Sequence, residues 1–530
     1  MENLNTSLES TGTGQAPLTS RWAKALVCQQ LSLLEAGTLT IREAGAETLT
    51  FGDNDSRFAP AELVIHDHST WKDLLTGGSV GAAEAYVAGD WSTPDLVALL
   101  RFFTRNVDRM NAFEDRFSWV TKPALKGLHW LNRNTKEGSR KNISAHYDLG
   151  NDLFETFLDP TMMYSSAIYP GPEATLEQAA VHKLDTICRK LDLQPGDRVI
   201  EIGTGWGGFA VHAAKHYGCH VTTTTISAEQ LELARKKVSD EGLEAQITLL
   251  FDDYRDLEGQ FDKLVSIEMI EAVGPQFLDS YFSQISRLLK PDGLALVQAI
   301  NMPEQRYKRA LKNVDFIQRF IFPGSFIPSF GAMLDSVRTG SDLVMTHAED
   351  IGFHYARTLR DWCDRFMVNF ALFQAGWFVC VLYPGLMAAG FVVLLLVFHM
   401  LFVSQHRSIE LQFIGAGTVL GGVLDGIWFQ TGILDDGTGS VQITPVWLVG
   451  IWAIFMTTLS HSLSWIGSKP WLPFVCAPIA GPFAYWSASA LGAVQLPNPT
   501  LSLAALALGW LVVFPSLLYL RKALYPELIR

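Results

Sequence analysis

Apolar and polar positions follow three different patterns along this 530-residue chain. Near the N-terminus, Leu39-Thr-Ile-Arg, Thr48-Leu-Thr-Phe and Glu62-Leu-Val-Ile-His66 read as short strands separated by turn residues. Stretches 81–91 and 96–103 then read as helices. Between 198 and 300 the pattern alternates. Strands are expected at 198–202, 220–225, 246–251, 263–267 and 294–299, and helices at 209–216, 228–240 and 277–289, the last ended by Lys290-Pro-Asp-Gly. Strand–helix alternation of this kind predicts an α/β, doubly wound, mostly parallel sheet. From Phe370 onward the chain becomes strongly apolar, in stretches at 370–383, 385–404, 411–433, 445–467, 471–494 and 499–520. Most reach the roughly 20 residues that cross a bilayer, and the first falls short of it. Tyr383-Pro-Gly bends the first away from the second.

Charge sharpens this division. The region from Phe370 holds five Lys/Arg and five Asp/Glu, so the net charge of −13 falls entirely on the part before it. An acidic balance excludes a nucleic-acid partner. Counting six spans puts Arg407, Lys469, Arg521 and Lys522 on the same side as the sheet region, with no Lys or Arg in the opposite loops at 434–444 and 495–498. That is the positive-inside pattern of a multi-pass bacterial inner-membrane protein with the sheet domain cytoplasmic. Asp425, Gln430 and His461 are expected within spans, where polar groups are functional candidates. The six cysteines (28, 188, 219, 363, 380, 476) contain no C-x-x-C, which predicts free thiols and no metal site. The expected order is therefore a disordered segment 1–20, an N-terminal α+β lipid-docking domain 21–125, a linker 126–145, an α/β domain 146–368 and an all-α membrane domain 369–530. Arg133, Lys136, Arg140 and Lys141 would let the linker meet anionic headgroups.

The chemistry concentrates at Val199-Ile-Glu-Ile-Gly-Thr-Gly-Trp-Gly-Gly-Phe-Ala210. A strand runs into Gly203, Gly205 and Gly207 and then into a helix, the arrangement that lets a backbone approach a nucleotide-type ligand. A dinucleotide site wants an acidic residue closing the second strand. Here that strand ends in Thr222-Thr-Thr-Thr-Ile-Ser227, which favours a methyl donor. Strand three ends in Asp252-Asp253, placed to accept from an adenine amino group.

A set of motifs spread over about 75–368 resembles the cyclopropane-fatty-acyl-phospholipid synthase family. They are Asn142-Ile-Ser-Ala-His-Tyr-Asp-Leu-Gly-Asn151, Met163-Tyr-Ser-Ser-Ala-Ile-Tyr169, Glu201-Ile-Gly-Thr-Gly-Trp-Gly-Gly208, Thr225-Ile-Ser-Ala-Glu-Gln230, Asp253-Tyr-Arg-Asp256, Glu268-Met-Ile-Glu-Ala-Val-Gly274, Asp315-Phe-Ile-Gln-Arg-Phe-Ile-Phe-Pro-Gly324 and Tyr355-Ala-Arg-Thr-Leu359. The resemblance implies an S-adenosylmethionine-dependent methyltransferase acting on cis double bonds of unsaturated phospholipid in a bilayer, giving cyclopropane or methyl-branched chains. By that resemblance Tyr164, Ser165, Gly203, Gly205, Thr225, Gln230 and Asp253 hold the methyl donor, with Asp252 beside them. It also implies a bicarbonate ion as base, held by Ser166, Glu271, Gln298, the Ile300 backbone and Tyr355. Many family members have Cys where this chain has Ser166, His where it has Gln298, and His where it has Ala272. Tyr164, Tyr169, Phe316, Phe320, Phe322 and Phe326 are candidate aromatic walls for an acyl chain and a cation. A homodimer is a candidate assembly. The tail resembles a small bacterial membrane-protein family of unknown function, through Phe373-Gln-Ala-Gly-Trp377, Pro445-Val-Trp-Leu448 and Gly481-Pro-Phe-Ala-Tyr-Trp486. No pattern for the family's last antiparallel strand follows Phe366. The other reading is therefore a non-catalytic donor- or lipid-binding accessory of the membrane part.

Overall fold

The computed structural model describes residues 17–110, 134–135, 138–139, 151–404, 406–437, 444–468, 470–525 and 528. Arg133, Lys136, Arg140 and Lys141 of the expected linker lie outside these residues. The chain divides into two units that are not contiguous in sequence. The first takes the N-terminal part up to Asn142 together with Glu271–Phe277 and Ile300–Leu334; the second takes Ile143–Ile270, Leu278–Ala299 and Asp335–Arg530.

In the first unit, β1 (Thr38–Glu43), β2 (Leu49–Gly52), β3 (Ala61–Ile65) and β4 (Trp91–Ser92) form a sheet in the order β2-β1-β3-β4. β1 and β3 run parallel and the outer pairs are antiparallel. Alternation in β1 and β3 turns Leu39, Ile41, Leu63 and Ile65 into a core with Trp71 and Phe102. Two differences from the sequence reading stand out. Helix Leu18–Leu31 begins inside the segment expected to be disordered, because Ala23, Val27 and Leu31 recur at helical spacing and find this core. The helix expected at 81–91 is Thr70–Ala88; Gly89 ends it in the left-handed conformation and Trp91 starts β4.

The second unit contains β5 (Arg198–Ile202), β6 (His220–Thr224), β7 (Ile247–Leu250), β8 (Phe261–Ile267) and β9 (Leu289–Gln298). All pairings are parallel, in the order β7-β6-β5-β8-β9. β5 is therefore the strand from which the order runs outward both ways, the switch point at which such sheets bind ligands. Helix Leu176–Lys190 carries a complete capping box between Thr175 and Gln178, and helix Ala228–Asp240 is capped by Ser227. Lys290-Pro-Asp-Gly lies within β9 as an irregularity, between the pairs Phe261–Leu289 and Lys263–Leu294. β9 is a sheet edge among the described residues, as the missing closing-strand pattern implies.

The apolar region folds into helices Gly352–Leu382, Leu386–Phe402, Arg407–Gln430, Val446–Ser460, Leu472–Ala490 and Pro499–Leu524. Three of them are long and apolar enough to cross a membrane: Gly352–Leu382, Arg407–Gln430 and Pro499–Leu524. The first apolar stretch is not a short span. It is the second half of a 31-residue helix that begins in the α/β part. Their core stacks Trp452 on Trp510 at 5.2 Å, and fully buried Asp425 accepts from Trp452 Nε1 (2.7 Å) and the Tyr485 hydroxyl (2.6 Å). Both carboxylate oxygens are thereby satisfied, which fits Asp425 to a packing role. Gln430 is the last residue of the candidate span Arg407–Gln430, and His461 is the C-cap of helix Val446–Ser460.

Small residues set how closely these helices approach. A Cβ on Gly421 would stand 2.0 Å from the Trp452 ring, whereas one on Gly422 meets nothing nearer than 3.8 Å. Gly421→Ala should therefore destabilise the detergent-solubilised chain by about 1–3 kcal/mol, and Gly422→Ala should leave its thermal unfolding nearly unchanged. Equal effects from both substitutions would contradict this packing.

Candidate functional site

The glycine-rich turn leaves β5 with three left-handed residues, Gly203 (φ 100°), Gly205 (φ 51°) and Gly207 (φ 86°), and Gly207 caps helix Gly208–Tyr217. The Gly203 and Thr204 N–H groups donate to Thr224 O at 3.1 and 2.9 Å, which fastens the turn to the end of β6. A Cβ on Gly203 would press against Met269, and one on Gly205 would project into open space. That open space in front of a helix N-terminus is the fit expected for an adenosyl-type donor. Below it, buried Glu201 accepts from the Thr223 hydroxyl at 2.7 Å. Burial pushes the Glu201 carboxyl up to about 8.

The other expected donor-site residues fall around this turn in unequal ways. Thr225 and Gln230 are buried and bond each other, hydroxyl to amide oxygen, at 2.8 Å. The Asp253 carboxylate is held in a two-point pair by Arg255, with both contacts at 2.7 Å. Asp252 is exposed and its backbone pairs with the Thr224 hydroxyl. A ligand amino group reaching this corner meets one carboxylate engaged by arginine and one facing solvent. Tyr164 is half-buried and packs on Trp362 (5.4 Å) and Phe154 (5.1 Å). Ser165 accepts from Lys183 Nζ at 2.5 Å.

Ser166 and Gln298 are brought together by a residue the sequence reading left without a role. The Ser166 N–H and Gln298 Nε2 both donate to Glu268 Oε1 at 2.8 Å, and Gln298 also donates to Ser166 O. Glu268 adopts a left-handed backbone (φ 48°), uncommon for a residue with a side chain. Burial raises its carboxyl, against the pull of these donors and of Lys183. Lys183 is fully buried, and desolvation lowers its ammonium to about 8. Glu268 stood in a quoted motif. Lys183 had no such signal, since a lysine within an amphipathic helix reads as solvated.

In the other unit, the Ile300 N–H donates to Glu271 Oε1 and Phe326 N–H donates to Glu271 O at 3.0 Å. The Ile300 N–H and the Gln298 amide thus each already hold a carboxylate oxygen, the same chemical type as an oxygen of bicarbonate. Phe326 is buried, while Phe316 and Phe320 pack as a tilted pair, 5.2 Å between ring centroids, on an exposed surface of this unit. Tyr355 sits on helix Gly352–Leu382 and packs into the cluster of Phe154, Tyr164, Trp206 and Trp362. Tyr169 is committed to structure: its hydroxyl donates to Asp361 at 2.7 Å and Arg357 lies over its ring.

Known proteins resemble both the α/β part and the apolar part of the chain in sequence. Residues 134–375 match the family described as mycolic acid cyclopropane synthetase, and residues 366–516 match one described as a protein of unknown function (DUF2878). Tuberculostearic acid methyltransferase UfaA1 of Mycobacterium tuberculosis is 35% identical over 363 residues, covering 65% of this chain and 82% of the relative. Cyclopropane-fatty-acyl-phospholipid synthase of Escherichia coli is 38% identical over 312 residues, covering 58% and 77%. Among solved structures, the cyclopropane synthase MmaA2 from Mycobacterium tuberculosis aligns at 28% identity with a TM-score of 0.40, covering 43% of this chain and 83% of that one.

The raised Glu201 carboxyl has a consequence for stability. Between about pH 4.5 and 8 the folded chain keeps a proton on Glu201 that the unfolded chain has released, so this residue makes stability fall as pH rises, by about 1.4 kcal/mol per pH unit. Glu201→Gln removes that slope. Thermal unfolding of both proteins from pH 5 to 8.5 should show the variant gaining on the wild type as pH rises. Parallel curves would contradict a buried neutral carboxyl.

Proposed function

Because the chain belongs to the cyclopropane-fatty-acyl-phospholipid synthase family of S-adenosylmethionine-dependent methyltransferases, we propose that it is a membrane-tethered enzyme adding a one-carbon unit to cis double bonds of phospholipid acyl chains. The observation that carries this reading is the unbroken helix Gly352–Leu382. Its first half bonds the segment containing Tyr164, Ser165 and Ser166, and the helix is long and apolar enough to cross a membrane. A soluble acceptor would need no such attachment. The six apolar helices are taken as six spans of the bacterial inner membrane, with the sheet on the cytoplasmic side by the positive-inside rule. Residues 21–125 are taken as a lipid-docking module, 126–145 as a linker, and a homodimer as the candidate assembly.

When bound, S-adenosylmethionine supplies an electrophilic methyl on a sulfonium centre. The chain's own part is to hold that donor in the space before Gly205, against Thr225, Gln230 and Tyr164, and to keep water from it. A cis alkene is a weak nucleophile that has no proton to lose first, so an apolar, water-poor setting favours it. Closing a ring afterwards requires a base. Bicarbonate, when bound, supplies that base, and Glu271 with the Ile300 N–H would hold it. The Ser166 N–H and the Gln298 amide both donate to Glu268, while the Ser166 hydroxyl donates to Ala167 O. A chain that loses its proton elsewhere ends as a methyl or methylene branch, so control of that proton decides the product.

Expression in a host rich in monounsaturated phospholipid should yield acyl chains heavier by one methylene in the lipid mass spectrum. Glu271→Gln should lower the product by about 10²–10⁴-fold, the usual weight of a general base or its holder. Omitting bicarbonate from an assay in detergent should lower the wild-type rate. A host lipid spectrum without any such gain, despite folded protein in the membrane, would overturn the reading in favour of a donor- or lipid-binding accessory.

A further inference from the structure

The sequence reading expected no metal, because the cysteines are scattered and C-x-x-C is absent. The helical region nevertheless brings together His399, Glu410 and His461. Their ligating atoms lie within 4.8 Å of one another. His399 lies near the end of helix Leu386–Phe402, Glu410 in the first turn of helix Arg407–Gln430, and His461 at the C-cap of helix Val446–Ser460. Three helix ends thus converge on one point. His399 Nε2 is 2.8 Å and His461 Nε2 2.9 Å from the same oxygen, Glu410 Oε1. His399 and Glu410 are 2% and 1% exposed.

We propose that His399, Glu410 and His461 form a binding site for a divalent first-row transition-metal ion. Burial makes an isolated carboxylate expensive, and the ion-pair partners of Glu410 among the described residues are the two imidazoles, with no lysine or arginine. Hydrogen bonding alone crowds two ring N–H groups onto a single oxygen and leaves the site anionic while both rings are neutral. A dication reverses that sign, and two neutral imidazoles with one carboxylate are the donors that zinc or ferrous iron takes. A metal about 2.0–2.2 Å from each donor sets the donors roughly 3.3 Å apart. The two Glu410 contacts open by a few tenths of an ångström, while the wider separations in the group, up to 4.8 Å, must draw in to that spacing. Three protein ligands leave a further coordination position for water or another ligand.

The site is next to the segment that meets the methyltransferase part. His461 is followed by the turn Ser464–Ser468, which lies against the short helix Asn151–Glu155. Asn151 in turn accepts from Trp206 Nε1 at 2.6 Å, and Trp206 follows Gly205. A metal that fixes the end of helix Val446–Ser460 would thus stiffen a path of contacts that ends at the donor turn.

The test uses the full chain, purified in detergent without a histidine tag. Elemental analysis should find about one zinc or other first-row divalent ion per chain. After chelation, zinc should rebind and raise the unfolding temperature, and cobalt(II) should give visible absorption bands of a low-coordinate site. His461→Ala and Glu410→Gln should each weaken zinc binding at least tenfold. They should also abolish the zinc-dependent thermal shift, while the chelated variants unfold close to the chelated wild type. A wild-type chain that purifies without metal and takes up neither zinc nor cobalt at micromolar concentration overturns the proposal, whatever the variants do. So does zinc uptake that survives both substitutions.

Discussion

One helix, Gly352–Leu382, joins the segment that carries Tyr164, Ser165 and Ser166 to the apolar bundle. Within its first turns, Thr358 accepts from the Ala167 N–H, Asp361 accepts from the Tyr169 hydroxyl, and Arg357 donates to the carbonyls of Gly171 and Ala174. Arg365 reaches back to Leu158 O and to Glu177. The segment 158–174 that presents Tyr164, Ser165 and Ser166 is therefore stapled to this helix along several turns. Further on, Asn369 bonds Thr457 and Ser462, and Gly376 lets the helix lie close on Ile454. A helix with this many fixed points at both ends behaves as a strut. The donor-side segment and the apolar bundle cannot move independently without breaking it.

The strut also accounts for what the sheet lacks. In the family's pattern, further elements follow the last helix of the domain and close the sheet with an antiparallel strand. Here the residues after Phe366 remain helical and run straight into apolar sequence. β9 stays an edge among the described residues, and its irregular entry at Lys290-Pro-Asp-Gly makes it a poor template for another strand. Helix Gly352–Leu382 thus continues where the family's pattern would place the closing elements.

The sheet was legible in the sequence because a parallel sheet buried on both faces demands continuous apolar strands between amphipathic helices. The helix 228–240 is found at the bounds that its Ser227 cap and its periodicity predict. The first span was misjudged for the opposite reason. Composition changes at Phe370, but the backbone does not, and a helix crossing from polar to apolar surroundings looks like two segments to a window of hydropathy. Of the candidate site, the glycines declared themselves through the turn they must make. Lys183 did not, and Glu268 stood in a motif without a role of its own, since their importance comes from burial and from partners far away in sequence. The same holds for His399, Glu410 and His461, which share a site only because three helices end together.

The central claim is that the donor turn serves a lipid acceptor in the bilayer to which the chain is tied. Purified full-length protein reconstituted into vesicles, supplied with S-adenosylmethionine labelled in its methyl group, tests it directly. The account predicts that label enters the acyl chains of vesicles made from cis-monounsaturated phospholipid and not those of fully saturated vesicles. Label found in both kinds of vesicle, in headgroups, or only in water-soluble products would contradict it.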